Sequence, residues 1–273
     1  MGSFPNPDPL RLAILLTDTP IPAISSRLGT FDTIFTTLLR TACETVDPSQ
    51  PQHQNEPPQP LESQLTLTAH DVIHPEAVYP DPGTIDAVLI TGSRYTAYDD
   101  DEWIVRLTEY TRGLLEGGRV KVIGVCFGHQ IVARALGGVV GPSAGGWEVA
   151  VTEVEVSEEG RWVLRTGECL NIYQSHRDAV LSHPSALPFN PSVPIVRLGS
   201  TSSCHCQGMY APGSLMTTQG HPEYTPFLMK TLLQTRHKLG VLPDAAFEDA
   251  MGRIKEKHDG LAVARAWLRF LRD

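Results

Sequence analysis

Residues 124–138 read Gly-Val-Cys-Phe-Gly-His-Gln-Ile-Val-Ala-Arg-Ala-Leu-Gly-Gly and follow the apolar run Val120-Lys121-Val122-Ile123. The run is short and β-branched, which predicts a buried parallel strand. Beyond Cys126, the apolar residues Ile131, Val132, Ala135 and Leu136 recur at helical spacing. Cys126 therefore sits between a strand and a helix, with Gly124 and Gly128 two residues to either side. Glycines at those places let the chain turn sharply without Cβ clashes, which presents the thiol at the strand's carboxyl end. A helix N-terminus at that point favours a thiolate and supplies free backbone N–H groups. A buried cysteine in a tight turn would account for the cysteine by itself. The glycines and the following helix favour a nucleophile.

Working outward, strand-like and helix-like segments alternate. Arg11–Thr17 reads as a strand, and Thr30 to about Thr45 as an amphipathic helix carrying Phe31, Ile34, Phe35, Leu38 and Leu39. Leu65–Ile73 and Ile85–Ile90 read as strands, and Asp99–Leu115 as a helix whose acidic start suits its positive end. This alternation predicts an α/β fold with a mainly parallel sheet and helices on both faces. From Trp147 the apolar residues alternate (Val149, Val151, Val154, Val156, then Trp162 and Leu164), which predicts a small antiparallel excursion. Pro194–Leu198 and Ser214–Thr218 read as further strands, and Leu261, Ala264, Leu268 and Leu271 mark one face of a final helix. Residues 1–273 are read as one domain. Its interruption at 47–60 holds five prolines and four glutamines and no aliphatic side chain, which predicts a disordered loop.

Composition narrows the class. The chain has 273 residues, 41% hydrophobic and 19% charged, with a formal net charge of −9. Those proportions are those of a globular protein, and the acidic balance argues against nucleic-acid binding. No apolar run reaches the length of a membrane span and no signal peptide is visible, so a cytoplasmic, membrane-free protein is expected. Five cysteines are too few for a disulfide framework. Cys204-His205-Cys206, with His176 or His221, raises the question of a metal. The spacing is wrong for zinc, and no metal or cofactor is expected.

A catalytic thiol needs a base, and the base needs an orienting group. Thr217-Thr-Gln-Gly-His221-Pro222-Glu223 follows the apolar pair Leu215-Met216 and occupies a second strand end. Proline between His221 and Glu223 fixes the backbone, so Glu223 can accept one imidazole N–H while the other nitrogen faces the thiol. A helix start would also account for His-Pro-Glu alone, with proline and an acid in the first turn.

Taken together, Gly124-Val-Cys126-Phe-Gly128-His-Gln130 and Gly220-His221-Pro222-Glu223, 95 residues apart from cysteine to histidine, resemble the class I (triad) glutamine amidotransferases. The likeness is to the free-standing branch related to the glutaminase domain of GMP synthetase and to plant γ-glutamyl peptidases. It covers most of the chain and implies a flavodoxin-like fold. It also implies a triad of Cys126, His221 and Glu223, and a γ-glutamyl thioester on Cys126. By the same likeness, Gly92 and Ser93 of Ile90-Thr-Gly-Ser-Arg94, with Phe127, supply an oxyanion hole. Gln130, Ser175, Arg177, Asp178 and Arg94 then fall to substrate binding, with Tyr173–Asp178 as a loop over the substrate's amino and carboxylate groups. His129 and His176 are expected to support the site. The implied partner is a small γ-glutamyl compound, glutamine or a γ-glutamyl peptide or conjugate. No ATP-binding P-loop is present, so an amide-forming role would require a separate synthetase subunit to receive ammonia. A binding or regulatory protein without turnover is the reading of another class, and the intact Cys126, His221 and Glu223 weigh against it.

Overall fold

A computed structural model describes residues 8–46 and 59–273. The predicted disordered loop at 47–60 lies outside the described residues except for its last two positions.

The amino-terminal half alternates as its periodicity predicts. Strand β1 (Leu10–Leu16) is followed by helices α1 (Pro22–Leu28) and α2 (Phe31–Glu44), then β2 (Leu65–Asp71) and β3 (Ala87–Ile90). Helix α3 (Glu102–Gly117) leads to β4 (Lys121–Val125), α4 (Phe127–Ala135) and β5 (Val139–Pro142). The middle of the chain holds β6 (Glu148–Val156), α5 (Glu158–Leu164), β7 (Cys169–His176) and β8 (Asp178–Ser182). Five short strands follow: β9 (Ala186–Leu187), β10 (Asn190–Pro194), β11 (Val196–Arg197), β12 (Gly199–Ser200) and β13 (Met209–Ala211). Strand β14 (Leu215–Thr218) precedes α6 (Pro226–Lys238), α7 (Asp244–Arg253) and α8 (Gly260–Arg272).

The central sheet has the order β11-β13-β14-β4-β3-β1-β2. From β14 to β2 every pairing is parallel, and β13 and β11 extend it antiparallel. The pleat sends alternate residues of β1 to opposite faces. Leu12 and Ile14 join Phe35, Leu39 and Trp267 of α2 and α8, whereas Ala13 and Leu15 join Ile104, Leu107 and Ile131 of α3 and α4. Burial on both faces is why these strands are apolar without a break. A third cluster packs β6 and β7 against α1, α6 and α7 through Ile24, Val149, Tyr173, Leu228 and Leu233.

Two local readings are corrected, and one alternative is removed. Trp162 and Leu164 do not extend the antiparallel excursion but lie in α5. The Ser157 hydroxyl accepts the Gly160 N–H at 2.9 Å, and Glu158 and Glu159 open the helix, so a cap and a favourable dipole override the apolar alternation. Tyr173–Asp178 is not a free loop. It is the end of β7, paired with β6 in continuous register from Glu148↔His176 to Glu155↔Cys169, and it turns at Arg177 into β8. His-Pro-Glu does not start a helix either. α6 begins at Pro226, capped by the Thr225 hydroxyl, which accepts the Leu228 N–H at 3.2 Å.

Candidate active site

The carboxyl ends of β1, β3, β4 and β14 are neighbours in the sheet, and the residues just beyond them converge. Parallel α/β sheets present their binding crevices at this edge. Cys126 is the turn residue between β4 and α4, with φ 50° and ψ −101°. A non-glycine residue there is strained by roughly 1–3 kcal/mol. The strain lies in the cysteine itself, and the flanking glycines serve close approach. A Cβ on Gly124 would lie 2.6 Å from the Gly128 carbonyl oxygen, and one on Gly128 would lie 2.3 Å from the Ile90 carbonyl oxygen. Helix α4 is thereby pressed against β3 and β4. Sequence reasoning expected an exposed thiol, but Cys126 is only 6% exposed. It opens into a cavity of about 220 Å³ roofed by α1 and α6.

His221 is pinned to β7 by its backbone, its N–H donating to the Tyr173 carbonyl at 2.8 Å. Its Nδ1 lies 2.8 Å from Glu223 Oε1, with both side chains almost wholly buried. With Nδ1 donating to the carboxylate, the other ring nitrogen is left for Cys126, which lines the same cavity and shares the neighbour Gly92. Burial alone would lower the imidazole pKa, but the charges of Glu223 and Cys126 outweigh it and raise it to about 10. The Tyr224 ring stacks on His221 at 4.0 Å and 17° and fixes the imidazole's other face.

Gly92 closes the site from β3. A Cβ there would stand 2.9 Å from His221 Cε1 and 3.7 Å from Cys126 Cβ. The Gly92 carbonyl is held away by the Thr17 hydroxyl, which donates to it at 3.0 Å, while the Ser93 hydroxyl donates to the Thr17 carbonyl at 2.7 Å. Among the described residues the N–H groups of Gly92, Ser93 and Phe127 have no acceptor. That of Phe127 is one of the unpaired donors of a helix's first turn.

The residues expected to bind substrate divide into two groups. Ser175 and Arg94 line the cavity with Cys126 and His221. Arg94 is neutralised by Asp18 at 2.7 Å. Gln130, Arg177 and Asp178 do not line it. The Gln130 amide is buried and donates to the Asp178 carbonyl at 2.9 Å and to Gln219 Oε1 at 3.1 Å. Arg177 is exposed, lies over the Trp147 ring and comes within 3.8 Å of the Asp178 carboxylate, which burial raises in pKa. His129 is wholly buried and burial lowers its pKa to about 3, so it stays neutral between the Thr217 hydroxyl at 2.8 Å and the Cys206 carbonyl at 3.2 Å.

Four contributors carried no local signal. Thr17 orients the Gly92 turn, Tyr224 stacks on the imidazole, and α1 brings Ile21 and Ile24 over the cavity. Arg236 of α6 donates to the Ser175 hydroxyl at 2.7 Å at the cavity wall. The metal question resolves differently from its sequence form. Cys204 meets Glu148 and His176, with ligand atoms within 4.8 Å of one another, while His205 is exposed. Glu148 accepts from Thr201 at 2.6 Å and from Gln207 at 2.9 Å, and His176 Nε2 lies 3.1 Å from it. Burial pushes the Cys204 thiol up to about 12, which keeps it protonated.

Residues 61–237 match the family model for class-I glutamine amidotransferases. The chain belongs to that family. It is 30% identical over 264 residues to a glutamine amidotransferase-like protein of Schizosaccharomyces pombe, covering 95% of this chain and 98% of that one. It is 28% identical over 177 residues to gamma-glutamyl peptidase 2 of Arabidopsis thaliana, covering 63% and 66%. A glutamine amidotransferase crystal structure from Thermotoga maritima shares the fold across 97% of this chain and 99% of its own, with a TM-score of 0.64 at 16% identity. Among the described residues, no helix is long and apolar enough to cross a membrane.

Proposed function

We propose that this class-I glutamine amidotransferase homologue hydrolyses γ-glutamyl amide bonds through a thioester on Cys126. The observation that carries the reading is that Glu223 accepts from His221 Nδ1 at 2.8 Å while His221 and Cys126, both buried and both beside Gly92, line one cavity. In the first half-reaction the Cys126 thiolate attacks the γ-carbonyl carbon. The oxyanion takes hydrogen bonds from the N–H groups of Gly92 or Ser93 and of Phe127, and the His221 imidazolium gives its proton to the departing nitrogen. In the second, His221 takes a proton from water, hydroxide attacks the thioester, and glutamate leaves as the thiol re-forms.

One feature supports an amino acid or peptide as the departing amine, the likeness to an Arabidopsis gamma-glutamyl peptidase. The test is glutamate release from γ-glutamyl peptides and from glutamine, for wild type and Cys126→Ala. Release by wild type alone is expected. Absence of release from every compound overturns the reading. Turnover of glutamine only when a synthetase is added assigns the protein as that enzyme's ammonia-producing subunit.

A further inference from the structure

The direction of proton delivery says where the departing amine sits. His221 must reach the scissile nitrogen, so the leaving group lies on the imidazole's side of Cys126. On that side the cavity wall runs from Tyr224, stacked on the ring, along one face of α6: Leu228, Leu232 and Arg236, four residues apart. Ile21, Ile24 and Phe31 add to the apolar lining.

Arg236 is out of character with that apolar wall. It is half-buried, and its guanidinium is held in place by donation to the Ser175 hydroxyl at 2.7 Å and by the Trp147 ring at 5.1 Å. Both partners are neutral. Arg94 is matched with Asp18, and the His221 imidazole stands between Cys126 and Glu223, a residue just outside the lining. Among the described residues Arg236 has no carboxylate partner. A positioned guanidinium with free N–H groups in a partly dry cavity recognises a carboxylate. The Gln130 amide, by contrast, is committed to the bonds described above, and neither it nor Asp178 lines this cavity.

We propose that Arg236 selects the leaving group. It binds a carboxylate carried by the departing amino acid or peptide, while Leu228, Leu232, Ile21 and Ile24 take an apolar side chain of that group. The proposal rests on the hydrolase reading above and names the feature its substrates share. It also gives Ser175 a definite task, which is to hold the guanidinium toward the cavity.

The experiment compares γ-glutamyl-leucine and γ-glutamyl-leucyl-glycine, each as the free acid and as the carboxyl-terminal amide. Wild type is expected to prefer the acid in at least one pair by roughly 10- to 100-fold in kcat/KM, the range for a charge-assisted pair. In Arg236→Gln that ratio falls to near one, chiefly through KM for the acid, and Arg236→Lys restores part of it. Equal rates on acid and amide in wild type overturn the proposal, as does a preference that survives Arg236→Gln at lower overall activity. Binding of the same four compounds to Cys126→Ala by calorimetry separates the two readings. Acid preference there without turnover by wild type keeps the recognition site and removes the hydrolase. Turnover without acid preference does the reverse.

Discussion

Gly92 and His221 are packed so closely that a single methyl group on the glycine would lie 2.9 Å from the imidazole Cε1. Real Cβ atoms do not approach carbon so closely. The imidazole cannot retreat, because Tyr224 stacks on it and Glu223 holds its Nδ1. Gly92→Ala is therefore expected to push the ring off its line to Cys126 and to lower kcat/KM by about 100-fold or more, the scale of an ångström's misplacement. The circular dichroism spectrum should be unchanged. An alanine variant with wild-type kinetics would mean that the ring is free to shift, against the packing described.

The strain at Cys126 separates stability from activity. Cys126→Gly removes the side-chain penalty at φ 50°, whereas Cys126→Ala keeps it. Both variants lose the thiol and should lose turnover. Urea unfolding should find the glycine variant more stable than the alanine variant by roughly 1 kcal/mol or more, after any cost of glycine's greater freedom in the unfolded chain. A glycine variant that is less stable than the alanine variant would place the strain elsewhere.

The legible parts of the chain share one property, a signal contained in neighbouring residues. The strand-helix alternation, the glycine-flanked Cys126 and His221-Pro-Glu223 are all local patterns, and the structure brings the last two together at adjacent strand ends. What escaped depends on residues far apart in sequence. Thr17 reaches Gly92 across 75 positions, and Arg236 reaches Ser175 across 61. Nothing around either residue marks it. The Gln130 position was legible as part of the motif, but its commitment to the Asp178 carbonyl follows only from the β7-β8 turn lying over α4. Trp162 and Leu164 misled because alternation in β6 ran on into a segment whose fate was set by the Ser157 cap.

Gly128 tests the framework instead of the chemistry. Its Cβ would fall 2.3 Å from the Ile90 carbonyl oxygen, which is backbone in the middle of a buried sheet. Neither partner can swing aside, so Gly128→Ala must lift α4 from β3. Overpacking of this kind costs about 1–3 kcal/mol or more. The expected result is a lower denaturation midpoint together with lower activity, since the same shift moves the Phe127 N–H. Gly113, on α3 with open space around the Cβ position, is the control, and Gly113→Ala should be neutral or slightly stabilising.

The charge on Glu223 sets the pH range. Burial works to lower the His221 pKa, and the charges of Glu223 and Cys126 raise it to about 10. The imidazolium that protonates the departing nitrogen thus persists well above the ordinary histidine value near 6.5. In wild type the alkaline limb of kcat/KM, which reports the free enzyme, is expected near pH 10. Glu223→Gln keeps an acceptor for Nδ1–H but deletes the charge, leaving burial to act with less opposition. Its alkaline limb must move toward acid, so the loss of rate should grow with pH, from roughly 10-fold near pH 6 to about 100-fold or more near pH 9. Stability follows the same sign. A raised histidine pKa contributes stability in full below about 6.5 and loses it as pH rises through about 10. Urea midpoints of wild type and Glu223→Gln should therefore differ most at and below neutral pH and converge above pH 10. His221→Ala, which removes the base itself, should lose about 100- to 10,000-fold at every pH. Parallel pH profiles for wild type and Glu223→Gln would show that the carboxylate holds the ring in place without setting its charge.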